Sequence, residues 1–485
     1  MKKIGITSGI NPLPALRTKS WLIAAASDHG STVDIVESAL EIPAPAAECS
    51  LGDGAVPELA ALRDRKMTAY LAARELERAG CDAAVIPDIK TVPFLPEVQK
   101  ELRIPIIPLL AKVEEKVKAG EVRKIALLGR ALPQEAYGKI FGDAVQFIEP
   151  DEEMIAAFAR VQNPCEGLRK NGLTPEFEAL LVEIGGKLVA RGAELLIPNC
   201  TQIARFAADL QAKGIPVEDI LRDAAETAVL ATPPKTPKPF KIGMIGGLGP
   251  AATVDLYDKI VRATPAKNDQ QHFKVVVEQN PQIADRTVSL LQNGEDPTLA
   301  LFNCAKRLEE DDCDAIIVPC NTAHAFLPYL ERFIRIPFIN MQVAALDEIK
   351  AKLGDKARIG LMATTGTVKT GIYARKAEAM GMPIFAPGDE NQERVMDAIY
   401  GPLGAKAGYT DGVCRDDLIA AAEELVTKFD CNCLILGCTE LPLILDESDD
   451  FEIAGRHVVI VDPTAALARK VVKAAQASFE KTGVR

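Results

Sequence analysis

Short apolar runs rich in β-branched residues punctuate the chain from residue 241 onward: Lys241–Ile245, Phe273–Gln279, Ala315–Pro319, Ala357–Ala363, Asn432–Gly437 and His457–Val461. They are too short for helices and nearly unbroken in hydrophobicity, the pattern of strands buried on both faces. Between them, Thr298–Asp312 and Leu418–Asp430 place apolar residues at helical spacing and predict amphipathic helices. This alternation predicts an α/β fold with parallel sheets covered on both sides. Ligands in such sheets bind beyond the carboxyl ends of the strands.

The pattern occurs twice. Lys3-Ile4-Gly5-Ile6 returns as Lys241-Ile242-Gly243-Met244, and Cys81-Asp82-Ala83 as Cys313-Asp314-Ala315. Arg103-Ile104-Pro105 returns as Arg335-Ile336-Pro337, and Asn199-Cys200-Thr201 matches Gly437-Cys438-Thr439. The offsets are 238, 232, 232 and 238 residues, too constant for chance and too long for a solenoid repeat. Residues 231–240, ATPPKTPKPF, hold four prolines and predict a stiff extended linker. The expected division is therefore a first half over 1–230, the linker, and a second half over 241–485.

Composition narrows the partners. The chain has 485 residues and a net charge of −12, which argues against nucleic acid or an anionic membrane surface. An anionic substrate would need deliberately placed local cations. The start, MKKIGITSG, lacks the long apolar stretch of a signal peptide, and no run approaches the roughly 18 apolar residues of a membrane span. A cytoplasmic location is expected, where the eleven cysteines stay reduced.

Two of those cysteines sit at matched corners. One predicted strand runs into Pro319-Cys320-Asn321-Thr322-Ala323-His324 and another into Gly437-Cys438-Thr439-Glu440-Leu441-Pro442. With a helix following each, free backbone N–H groups and the helix dipole are expected to lower both thiol pKa values. Such a pair suits racemisation, which removes a proton from one face of a carbon and returns one to the other.

These motifs, with Gly-Leu-Gly-Pro-Ala-Ala-Thr at Gly247–Thr253 and Ala-Thr-Thr-Gly-Thr at Ala363–Thr367, closely resemble the aspartate/glutamate racemase family in order and spacing. The resemblance covers nearly all of the second half. It is nearer the aspartate branch, because Glu440 stands where cell-wall glutamate racemases typically have histidine. It implies two tandem racemase-like halves, each of two α/β lobes with parallel sheets and an interlobe cleft. It also implies an enzyme that uses neither pyridoxal phosphate nor a metal. Carried over by position, Cys320 and Cys438 become the catalytic acid/bases, and Arg286 and Lys406 the cations for substrate carboxylates, as arginine's fork suits. Asn321, Thr322, Thr367 and Thr439 become further substrate donors, and the loop at Gly249 shapes the cleft. His324 and Glu440 stand behind them. Racemases of this family commonly pair, so an intrachain pseudo-dimer is expected, with further homo-oligomerisation open.

Other readings are weaker. Cys431-Asn432-Cys433 would put both thiols on one strand face, but no further Cys or His cluster completes a metal set. Cys304, Cys313 and Cys431 read as core packing. The glycine loop resembles a dinucleotide fingerprint, which Pro250 suits poorly. The first half breaks the pattern: Asp88 stands opposite Cys320, while Cys200 remains opposite Cys438. Its glycine loop becomes Ser8-Gly9-Ile10-Asn11-Pro12, the partner region of Arg286 reads Gly52-Asp53-Gly54, and only Arg169-Lys170 lies near the counterpart of Lys406. A degenerate copy that has lost its anion clamp is expected, with ligand sensing or Asp88/Cys200 chemistry as alternatives. The function expected of the second half is racemisation of an acidic amino acid, foremost aspartate. Glutamate or a broader amino-acid set, hydantoin racemisation, maleate isomerisation, and non-catalytic ligand binding are the alternatives.

Overall fold

The structure is a computed structural model that describes residues 1–9, 12–40, 57–163 and 165–484. Ile10-Asn11 and Gly52-Asp53-Gly54 lie outside the described residues. The chain divides into two compact units, Met1–Pro237 and Lys238–Arg485. The proline-rich segment forms neither helix nor strand. In the first unit Thr236 donates its N–H to the Arg103 carbonyl, and in the second Lys238 pairs with Asp314.

In the second unit all six expected strands form. One sheet has the order Ala315–Ile317, Lys241–Gly246, Lys274–Gln279, all parallel, and a parallel bridge from Ile316 to Phe338 widens it. The other sheet runs Ile384–Phe385, Ile359–Met362, Cys433–Leu436, Arg456–Val461, Ser448–Ile453. Its last pair is antiparallel, an edge added to the parallel sheet that was expected. Ala454 and Gly455 both take positive φ, 48° and 71°, the geometry of a two-residue hairpin turn. Ser448–Ile453 is mostly polar, as suits an edge, and so carries little strand signal.

The first unit repeats the plan. Val33–Ser38, Lys2–Thr7, Ala83–Val85 and Ile106–Ile107 form one parallel sheet, and Gln146–Phe147, Lys124–Leu128 and Leu195–Pro198 another. In each unit the last helix returns to the first sheet. In the second unit Leu467, Val471 and Val472 of the helix Pro463–Thr482 pack on Ile242, Met244 and Ile317. In the first, Ile220 and Leu221 of the helix Ile220–Leu230 pack with Ile4, Ile6 and Leu22. Burying each such side chain is worth about 1.5–3 kcal/mol, so the return helix ties the two lobes of a unit together.

Cys304 and Cys313 lie in the core of the first lobe of the second unit. Cys431 packs with Leu434 and Leu436, but Cys433 packs with Ile435 on the other side of the sheet. The two thiols therefore do not share a face, because the strand begins only at Cys433 and its alternation does not reach back to 431. Among the described residues no cluster of His, Cys, Asp or Glu is arranged to hold a metal ion, and no helix is long and apolar enough to cross a membrane.

Candidate active site

In the second unit, the ends of two strands from different sheets meet at one cavity. The strand Ala315–Ile317 delivers Cys320, and the strand Cys433–Leu436 delivers Cys438. Glycine lets the chain turn there. A Cβ at Gly437 would stand 2.7 Å from Leu361 and 2.8 Å from Ala363, and one at Gly247, whose φ is +89°, would stand 2.5 Å from the Asn280 backbone. Both thiols line the cavity, together with Arg286, Lys406, Asn321, Thr322, Thr439 and Glu440. Its free space is about 20 Å³, enough for roughly one water, which needs ~10–15 Å³. An amino acid needs more, so lining side chains have to shift for one to enter, and Tyr400 and Lys406 are the most exposed of them.

Arg286 opens the helix Arg286–Gln292, which Asp285 caps by accepting from the Val288 N–H. Its guanidinium is buried. It donates to the carbonyls of Ile283, Ala284 and Leu248 at 3.2, 3.0 and 2.8 Å. Its Nε has no hydrogen-bond partner, nor does the buried Nδ2 of Asn321, whose Oδ1 accepts from Tyr373. Burial opposes the arginine's charge, but Cys320 beside it, together with Asp285 and Tyr400, outweighs this and its pKa is raised.

Around Cys438, Glu440 is the hub. Its Oε1 pairs with Lys406 Nζ at 2.8 Å. Its Oε2 accepts from Cys438 Sγ at 3.0 Å and from Thr439 Oγ1 at 3.2 Å. A Cβ at Gly249 would come within 2.7 Å of Glu440 Oε1, so the glycine makes room for this carboxylate rather than for substrate. Burial and the adjacent carboxylate push the Cys438 thiol well above its ordinary range. For Cys438 this corrects the expectation of a thiol acidified by a following helix. Only the 3₁₀ turn Leu441–Leu443 follows it, too short to sum a macrodipole, and Cys438 is a hydrogen-bond donor here. Burial works against the charge of Lys406, yet Glu440 holds its pKa above the usual lysine range.

Two expected substrate contacts, Gly249 and Thr367, do not line the cavity. Thr367 is fully buried and bonds Thr322 at 3.0 Å and Thr364 at 3.1 Å. Thr364, not Thr367, reaches the lining. Tyr400, the last residue of the helix Asp389–Tyr400, also lines the cavity, with its hydroxyl pKa pushed up to about 12 by burial and Cys438. Asp285 and Thr287 join it. None of the motifs pointed to Tyr400; its only signal is its place six residues before Lys406.

His324 touches no thiol sulfur. Met341 donates its N–H to Nε2 at 3.2 Å, which leaves the ring proton on Nδ1, 2.8 Å from the Cys320 carbonyl. The neutral ring thus pins the Cys320 backbone. Burial lowers its pKa from 6.5 to about 4. Because the folded value is the lower one, the unfolded chain binds more protons between these pH values. The neutral ring's contribution is therefore complete above pH 6.5 and is lost as pH falls toward 4, by about 3 kcal/mol. Thermal melts from pH 7 to 4 should show this loss in the native protein and a visibly shallower fall in His324→Gln.

The first unit also corrects an expectation. Its cations are not lost: Arg65, Lys90, Arg130 and Arg169 line one pocket with Asp88 and Cys200.

The family described as Asp/Glu/Hydantoin racemase matches the chain twice, over residues 13–228 and 245–471. The chain belongs to this family, as two tandem copies. It is 34% identical over 168 residues to the glutamate racemase of Aquifex pyrophilus, spanning 34% of this chain and 60% of that protein's length. It is 24% identical over 239 residues to the broad specificity amino-acid racemase RacX of Bacillus subtilis, spanning 48% of this chain and 96% of that one. Among solved structures, the aspartate racemase of Picrophilus torridus is 29% identical, with a TM-score of 0.41, over 49% of this chain and 94% of that chain.

Proposed function

We propose that the second unit interconverts the enantiomers of an acidic amino acid, foremost L- and D-aspartate, without a cofactor. The observation that carries this is one cavity lined by two thiols, Cys320 and Cys438, with a buried arginine and a lysine beside them. One thiolate takes the α-proton and the other thiol returns a proton to the opposite face. The two sulfurs then hold the same total of protons, with their roles exchanged. Arg286 is a counter-charge whenever Cys320 is anionic, and its unpartnered Nε with Asn321 Nδ2 gives donors for a carboxylate. Glu440 beside Cys438 favours the thiol, the proton-donating form. Lys406, released from Glu440, offers a second cation for the side-chain carboxylate. The first unit has Asp88 in place of the first thiol, and is read as a copy that does not racemise.

The test is chiral chromatography of the purified full chain incubated in deuterium oxide with a panel of L-amino acids. Dicarboxylates are expected to racemise with one deuterium at Cα, unchanged by added pyridoxal phosphate or chelator. Absence of exchange across the panel would sink the reading. If glutamate outruns aspartate, the substrate assignment changes and the mechanism stands.

The Glu440 contact has its own consequence. Glu440→Gln removes the charge that, beside burial, holds the Cys438 pKa up, and it also frees Lys406 to act as an uncompensated cation. Both lower the thiol pKa. In the direction that uses Cys438 as base, the acidic limb of the kcat–pH profile is expected to move to lower pH. A limb that stays in place would separate Glu440 from the titration of Cys438.

A further inference from the structure

The first unit has its own pocket, of about 400 Å³, within the ~300–1,000 Å³ usual for small-molecule sites. Four cations line it, Arg65, Lys90, Arg130 and Arg169, against the single carboxylate of Asp88. We infer that this pocket binds a small polyanion, carrying two or three carboxylate or phosphate charges, and that it does so without chemistry.

The carboxylate is already engaged. Asp88 is buried, and its Oδ2 pairs with Arg65 Nη1 at 2.6 Å. Its Oδ1 accepts from the Lys90 N–H at 3.1 Å and from Thr201 Oγ1 at 3.3 Å. Asp88 therefore fixes the Arg65 guanidinium, and three of the roughly four lone-pair sites of its carboxylate are already engaged. The side chains of Lys90, Arg130 and Arg169 have no carboxylate within ion-pair reach among the described residues. Three uncompensated positive charges converging on one concavity repel one another. In a chain of net charge −12 there is no shortage of carboxylates to neutralise them, and none of the described ones does. A concave surface of one sign concentrates small ions of the other.

The duplication supplies a second, independent argument. Arg169 falls near the repeat counterpart of Lys406, and Asp88 and Cys200 fall at the counterparts of Cys320 and Cys438. The ligand end keeps a cation at the counterpart of Lys406, has none at the counterpart of Arg286, and carries Arg65, Lys90 and Arg130 besides. The proton-transfer end has lost one thiol, and the other faces an aspartate locked in an ion pair. Such a site can hold an anion but has no second proton carrier.

The experiment is isothermal titration calorimetry on the full chain with citrate and, separately, with pyrophosphate, at fixed ionic strength with chloride as the control. One saturable site per chain is expected for at least one of them. Preference for citrate assigns the carboxylate class, and preference for pyrophosphate the phosphate class. Arg130→Ala/Arg169→Ala should weaken that binding by about tenfold or more. Both residues are exposed, so the fold should survive, as circular dichroism checks. Arg286→Leu, in the second unit, should leave it unchanged. The inference is overturned if neither anion binds above the chloride control, if the double variant binds as the native chain does, or if Arg286→Leu removes the binding.

Discussion

Cys320→Ala and Cys438→Ala should each abolish racemisation, by about 10³-fold or more, at the upper end of what positioned acid–base groups contribute. Each substitution removes the only proton carrier proposed for one face of the substrate. The two variants should fail differently. With Cys438 intact, Cys320→Ala should still exchange the α-hydrogen of one enantiomer with deuterium from solvent, and Cys438→Ala that of the other. Both sites are buried and small, so losing one sulfur leaves a minor cavity and the fold intact. Exchange followed by mass spectrometry, beside chiral chromatography, separates the half-reactions. A single variant that racemises near the native rate would remove the two-base assignment.

Arg286→Leu should lower kcat/KM for dicarboxylates by about 2–5 kcal/mol, the cost of leaving a buried charge unpaired. The structure adds a complication, because the guanidinium also satisfies the carbonyls of Ile283, Ala284 and Leu248. Leucine leaves these buried acceptors without a partner, each costing about 1–3 kcal/mol, so stability should fall as well. Arg286→Lys separates the two effects. It keeps the charge but loses the fork, and should recover stability more fully than kcat/KM. Alanine, with one carboxylate, should be a poor substrate of the native protein. Rapid turnover of alanine would end the dicarboxylate reading, and unchanged kcat/KM in a folded Arg286→Leu would remove the arginine from substrate binding.

The sequence by itself determined the duplication, the six strands of the second half, and the two corners that hold Cys320 and Cys438. These are local properties. Continuous apolar runs mark strands buried on both faces, and the motifs around Cys320 and Cys438 mark the turns that follow them. Tertiary structure decided what depends on neighbours far away in the chain. The Ser448–Ile453 strand exists because Arg456–Val461 offers it an edge, not because its own residues favour one. Thr364 lines the cavity and Thr367 does not, because the caps and turns after the strand Ile359–Met362 fix which hydroxyl points inward. The Cys438 pKa is raised by burial and because Glu440, two residues on, folds back onto it while Lys406 anchors the other carboxylate oxygen. The same holds in the first half, where Arg65, Lys90, Arg130 and Arg169 look like scattered surface charges in sequence. Only folding brings them to one pocket, since electrostatic character belongs to distances in space and not to positions along the chain.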